Sequence, residues 1–123
     1  MTTHYIHRGL AKKNFKENTI QSFKYCFKKK FGIETDLQVT KDNKFICFHD
    51  SNLKRTFKLN VNVKDITYSQ LKKISNKSKT PVPLLKDLLN ISNNKHHLIL
   101  EIKPLLNNQN LKNLIHLTKK TKK

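Results

Sequence analysis

A chain of 123 residues with 26 Lys plus Arg against 8 Asp plus Glu, net charge +18, suits one domain or part of a larger one. No apolar run approaches the roughly 18 residues that a bilayer crossing needs, which argues against a membrane span. The opening MTTHYIHRGLAKK has no apolar core of a signal peptide, and Cys26 and Cys47 stand at no metal-ligating spacing, so a cytoplasmic protein with reduced thiols is expected.

The first element is THYIHRG, apolar at alternate positions and ended by glycine, which predicts a strand over residues 3–8. In ENTIQSFKYCFKKKFG, Ile20, Phe23, Phe27 and Phe31 recur near the helical period, with Asn18 or Thr19 as N-cap and Gly32 as C-cap. GIETDLQVT alternates strictly and reads as a second strand, and NKFICFHD alternates as well. Only KDNK separates the two, too little for a parallel crossover, so they are expected to form an antiparallel hairpin with Asp42-Asn43 at its tip. A two-residue loop would set Val39 opposite Ile46, Leu37 opposite Phe48 and Asp36 opposite His49, with the four apolar residues on one face.

TYSQLKKIS predicts a short helix capped near Thr67 or Ser69, and VPLLKDLLNIS a second that starts at Pro83. HHLILEIKP reads as a strand of the kind buried on both faces of a parallel sheet. The final helix would turn Leu111, Leu114, Ile115 and Thr118 to one side. The order β, α, β-hairpin, α, α, β, α is that of an α/β protein.

The charge alone would suit a polyanion partner, but the lysines are spread from Lys12 to Lys123 and only Arg8 and Arg55 are arginine. Base readout and phosphate clamps favour the arginine fork, so nucleic acid is not the expected partner. Glu34 and Asp36, two apart on a strand, share a face, and Glu101 and Lys103 do the same on the later strand. Buried carboxylates without partners are costly, and three oxygen donors suit a hard divalent cation, Mg²⁺ or Ca²⁺, unless Glu34 is solvated and Glu101 pairs with Lys103. Among the histidines, His7 adjoins Arg8 and His49 is expected across from Asp36, whereas His4, His96, His97 and His116 read as surface or strand-end residues. No phosphate-cradling G-x-x-x-x-G-K-[ST] loop is present.

These residues resemble the amino-terminal half of a glycerophosphodiester phosphodiesterase. The likeness rests on HRG at 7–9, ENT at 17–19, Glu34 and Asp36, the TKDNK turn, FHD at 48–50 with LKRT at 53–56, VPLLKDLL, and LEIK at 100–103. It covers residues 4–104. It implies a (β/α)₈ barrel of the TIM type, of which this chain would hold about the first three βα units and a β-hairpin after the second strand. The implied reaction is metal-dependent hydrolysis of glycerophosphodiesters to sn-glycerol 3-phosphate and an alcohol.

The resemblance also assigns roles. Glu34, Asp36 and Glu101 would bind the divalent metal, His7 and His49 would share acid and base work, and Arg8 and Lys103 would hold phosphate oxygens. Glu17 and Asn18 would shape the first loop and Asp50 would orient. Lys16 stands where the family usually has proline, and Phe57 where threonine is frequent. A closed barrel needs about 200 residues. The expectation is therefore a single domain, residues 1–123, that is the amino-terminal part of a larger one, completed by self-association or by a separate carboxy-terminal half. The alternative is a catalytically dead remnant that serves as a binding module.

Overall fold

A computed structural model describes residues 5–8, 16–93 and 95–119. Residues 3 and 4 of the predicted first strand, His4 and Gly9 lie outside the described residues. The elements are β1 (Tyr5–His7), α1 (Ile20–Lys28), β2 (Gly32–Val39), β3 (Phe45–Cys47), α2 (Lys54–Phe57), a 3₁₀ turn at Val63–Asp65, α3 (Tyr68–Lys77), α4 (Leu85–Ser92), β4 (Leu98–Ile102) and α5 (Asn108–Lys119).

β2 is the centre of the sheet. β1 and β4 both pair with it in parallel, and β3 pairs with it antiparallel. β4 spans the register from Ile33 to Leu37, so β1 and β3 must share the opposite edge of β2, one beyond the other. Parallel neighbours joined through helices are the βα units expected, and the hairpin after β2 is present. This is an incomplete α/β barrel of the TIM type.

Side-chain alternation along β2 then sorts the residues. Ile33 and Leu37 point to a core shared with Phe23, Cys26 and Phe27 of α1 and Leu85, Leu88 and Leu89 of α4. Glu34, Asp36 and Gln38 take the other face. Pro83 precedes α4, and Asp87 accepts a hydrogen bond from the Leu84 amide across its first turn. Helix α3 starts at Thr67, whose hydroxyl accepts from the Gln70 amide while Gln70 Oε1 accepts from the Thr67 amide, a reciprocal capping box.

Four expectations need correction. The hairpin is one residue out of the predicted register: Leu37 pairs with Cys47, Gln38 with Ile46 and Val39 with Phe45. Its loop is Lys41–Asn43, not two residues. The Asn43 amide donates to the Thr40 carbonyl, Asn43 adopts φ 62°, and Thr40 closes on Lys44. Alternation could not fix the register because β3 is buried on both faces: Phe45 and Cys47 join the first core, while Ile46 and Phe48 join a second with Leu53, Phe57, Val63 and Leu71.

Helix α1 ends at Lys28, with Lys30 left-handed at φ 65°, and Gly32 belongs to β2 rather than to a cap. A Cβ at Gly32 would lie 2.8 Å from the Tyr5 ring, so the glycine serves strand packing. β4 is not buried on both faces: Ile99 and Ile102 are 46% and 42% exposed, because β4 pairs only with β2 among the described residues. In α5, Leu114 and Leu117 pack on the first core, whereas Leu111 and Ile115 are exposed. No helix among the described residues is long and apolar enough to cross a membrane.

Candidate active site

The parallel register brings the acids together. Asp36 of β2 is the lateral partner of Glu101 on β4, and Glu34 the partner of His7 on β1. Single carboxylate oxygens of Glu34, Asp36 and Glu101 lie within 4.8 Å of one another. Asp36 is fully buried, and Glu34 is partly covered. Two buried oxygens here, Glu34 Oε1 and Asp36 Oδ1, accept no hydrogen bond. Such buried acceptors are costly without a cation; His7 Nε2 and Lys103 Nζ stand at ion-pair range, 3.6 and 3.7 Å, but beyond hydrogen-bond reach, so acceptor capacity is left over. An all-oxygen donor set of three carboxylates fits a hard divalent ion. The residues present therefore fit a metal centre.

Electrostatics agree. Burial, and then the neighbouring Asp36 charge, push the Glu34 carboxyl above its ordinary value. Lys103 holds Glu101 below its own through a 3.0 Å hydrogen bond and is itself raised by that contact. Lys103 Nζ also lies 3.7 Å from Asp36 Oδ1.

Arg8 follows β1 directly with φ 55°, in the left-handed region, and its Nε lies 3.3 Å from Asp36 Oδ2. Asn18, buried and also left-handed, donates from Nδ2 to Asp36 Oδ2 over 3.5 Å and accepts from the Thr35 hydroxyl at 2.6 Å. Strained backbone at both ends of the first loop is what places these two side chains over Asp36. At the Lys16 departure the carbonyl accepts from Thr19 Oγ1 at 2.8 Å, a bond that a proline carbonyl could accept as well.

The histidines sit on either side. His7 is largely exposed, with Nε2 3.6 Å from Glu34 Oε1. His49 does not face Asp36, as the predicted register had it; Phe48 takes that place, its amide donating to the Asp36 carbonyl. His49 is instead fixed by Gln38, which donates to its carbonyl, and by Asp50, whose Oδ1 lies 2.7 Å from Nδ1. A cleft of about 650 Å³ is lined by His49, Asp50, Asn62, Lys64 and Lys103, among others. The remaining described histidines lie apart; His96 stacks on Phe27.

Contacts link His7, Arg8, Glu17, Asn18 and Lys103 to the three acids or to one another, Glu17 accepting from Arg8 Nη1 at 3.2 Å, and His49 and Asp50 line the same cleft as Lys103. One partner was missed. Arg55 donates to Asp50 and to Glu17. The available signal was its rarity, one of two arginines among 26 basic residues. Five of the eight acids, Glu17, Glu34, Asp36, Asp50 and Glu101, gather here in an otherwise basic chain.

A glycerophosphodiester phosphodiesterase of Bacillus altitudinis is 33% identical over 110 residues, 83% of this chain and 44% of the relative. The crystal structure of a glycerophosphodiester phosphodiesterase from Thermotoga maritima superposes with a TM-score of 0.83 at 27% identity, over 99% of this chain and 52% of that one. A phosphodiesterase of Oleispira antarctica, in complex with the product sn-glycerol-3-phosphate, shares the fold at a TM-score of 0.79 and 22% identity, over 98% of this chain and 53% of that one. The chain spans about half the length of these three proteins. Residues 7–122 match the pattern of the Glycerophosphoryl diester phosphodiesterase family, and the chain belongs to that family.

Proposed function

We propose that the chain carries the catalytic end of a metal-dependent phosphodiesterase that hydrolyses glycerophosphodiesters to sn-glycerol 3-phosphate and an alcohol. The observation that carries the reading is the convergence of Glu34, Asp36 and Glu101, two of whose buried oxygens accept no hydrogen bond, beside Arg8, Lys103 and His7. Residues 1–123 are, on this reading, the amino-terminal part of one barrel domain, and turnover requires the remaining βα units. The setting is the cytoplasm and the substrate a small molecule.

Glu34, Asp36 and Glu101 would hold Mg²⁺ or Ca²⁺, which neutralises phosphodiester charge and polarises its oxygens. Arg8 and Lys103 stand beside the carboxylates with side chains only partly covered, placed to bind the remaining phosphate oxygens. His7 and His49 divide the proton transfers. One takes a proton from the nucleophile, water or a glycerol hydroxyl, as its oxygen bonds to phosphorus; in the second case the ring so formed is then opened by a water to give sn-glycerol 3-phosphate. The other gives a proton to the alkoxide oxygen whose bond to phosphorus breaks. Asp50 holds His49 through Nδ1, which leaves Nε2 for that exchange. Glu17 and Asn18 fix the loop that carries Arg8 over Asp36.

The dead-remnant alternative finds no support in the residues, because each of these positions keeps a competent side chain. The test is glycerophosphocholine hydrolysis by the protein with its barrel complete, with divalent ion and with chelator, for wild type and Asp36→Asn. Ion-dependent turnover lost in the variant is expected. Unchanged turnover in chelator would refute the metal-dependent reading.

A further inference from the structure

We propose that Arg55 is a positioning residue that holds His49 in its working tautomer through Asp50. The inference rests on the proposed function only for the use His49 is put to. The contacts themselves are direct. Arg55 grips both Asp50 oxygens along one edge of its guanidinium, Nε to Oδ2 at 2.9 Å and Nη2 to Oδ1 at 3.2 Å. Asp50 Oδ1 also meets His49 Nδ1 at 2.7 Å. Those contacts hold Asp50 below the ordinary carboxylate range, Arg55 foremost and His49 after it. An ionised carboxylate only accepts, so Nδ1 of His49 must carry the hydrogen and Nε2 is left open.

Arg55 is in turn anchored. Its Nη2 donates to Glu17 Oε2 at 2.8 Å, and Glu17 Oε1 accepts from Arg8, whose Nε faces Asp36. His49, Asp50, Arg55, Glu17, Arg8 and Asp36 thereby form one line of alternating charge from a proton-transfer group to a metal-site carboxylate. Both arginines of a lysine-rich chain are in it. Lysine could not replace Arg55, because a single ammonium cannot span both Asp50 oxygens and Glu17 in a fixed plane. Helix α2 presents the side chain firmly: Leu53 and Phe57 on either side of it are buried in the second core, and Lys58 ends the helix at φ 61°.

The test is made on the protein with its barrel complete, by ¹⁵N NMR of neutral His49 and steady-state kinetics. Wild type should show the hydrogen on Nδ1. Arg55→Gln should move part of it to Nε2 and lower kcat about 10–100-fold with KM within about twofold, the usual effect of a group acting through another. Arg55→Lys should restore neither, and it guards against a loss that merely reflects misfolding, since it keeps the charge. Asp50→Asn combined with Arg55→Gln should be no worse than the poorer single variant. An unchanged tautomer in Arg55→Gln, full recovery by lysine, or losses that multiply in the double variant would overturn the proposal. A silent His49→Ala would remove the catalytic role of His49 while the tautomer measurement still decides the role of Arg55.

Discussion

Asp36 and Glu101 are lateral partners on parallel strands, in register across β2 and β4, and that pairing brings acids 65 positions apart in the chain into one cation-sized cluster. Their oxygens and one from Glu34 lie within 4.8 Å of one another. Without a counter-ion such acids repel one another.

A divalent cation should therefore raise the melting temperature. At an ion concentration about 100 times the dissociation constant, mass action stabilises the fold by roughly 2.7 kcal/mol. Glu34→Gln, Asp36→Asn or Glu101→Gln should each remove most of that gain. Equal stabilisation of wild type and all three variants in a thermal melt would mean that the ion binds elsewhere.

The histidines should behave unequally. With the barrel complete, His7→Ala and His49→Ala should each lower kcat by about 10²–10⁴, the range for a lost general acid or base. His96→Ala and His116→Ala should be nearly silent. Steady-state assays of the four variants decide it, and a large loss in either control would redraw the site.

Much of this was legible in the sequence, and each failure has its own physical cause. Strand alternation placed Glu34 and Asp36 on one face, and the short KDNK link required a hairpin. The register was not readable, because Ile46 and Phe48 are as buried as Phe45 and Cys47, so either pairing buries an apolar face. Asn43 taking the left-handed position made the loop one residue longer. The ion pair of Arg55 with Glu17 joins residues 38 apart, a relation that no local pattern encodes.

Acid should weaken the fold through the same arginine. Arg55 holds Asp50 below its ordinary 3.8, and for Glu17 the Arg55 and Arg8 contacts outweigh a burial effect that would raise it above 4.5. Lowered carboxyls contribute stability that is present above those ordinary values and lost as pH falls through the lowered ones. The urea midpoint of wild type should fall in that window, and that of Arg55→Gln should fall less. Glu34, raised in the fold, contributes with the opposite sign, its stability being lost as pH rises, but equally in both proteins. Parallel slopes for the two would contradict the assignment.

Gly32→Ala should cost about 1–3 kcal/mol, the usual penalty of overpacking, because the new methyl would lie 2.8 Å from the Tyr5 ring and 3.0 Å from the His97 carbonyl oxygen. Denaturant titration measures it. A loss within error would show that β1 shifts freely against β2, and His7 with it.

The most direct measurement is ³¹P NMR of glycerophosphocholine incubated with the complete barrel and a divalent ion. One phosphorus end product, sn-glycerol 3-phosphate, is expected, formed with the ion, absent in chelator and absent in Asp36→Asn. A different phosphorus product, or the same product at the same rate from Asp36→Asn, would contradict it.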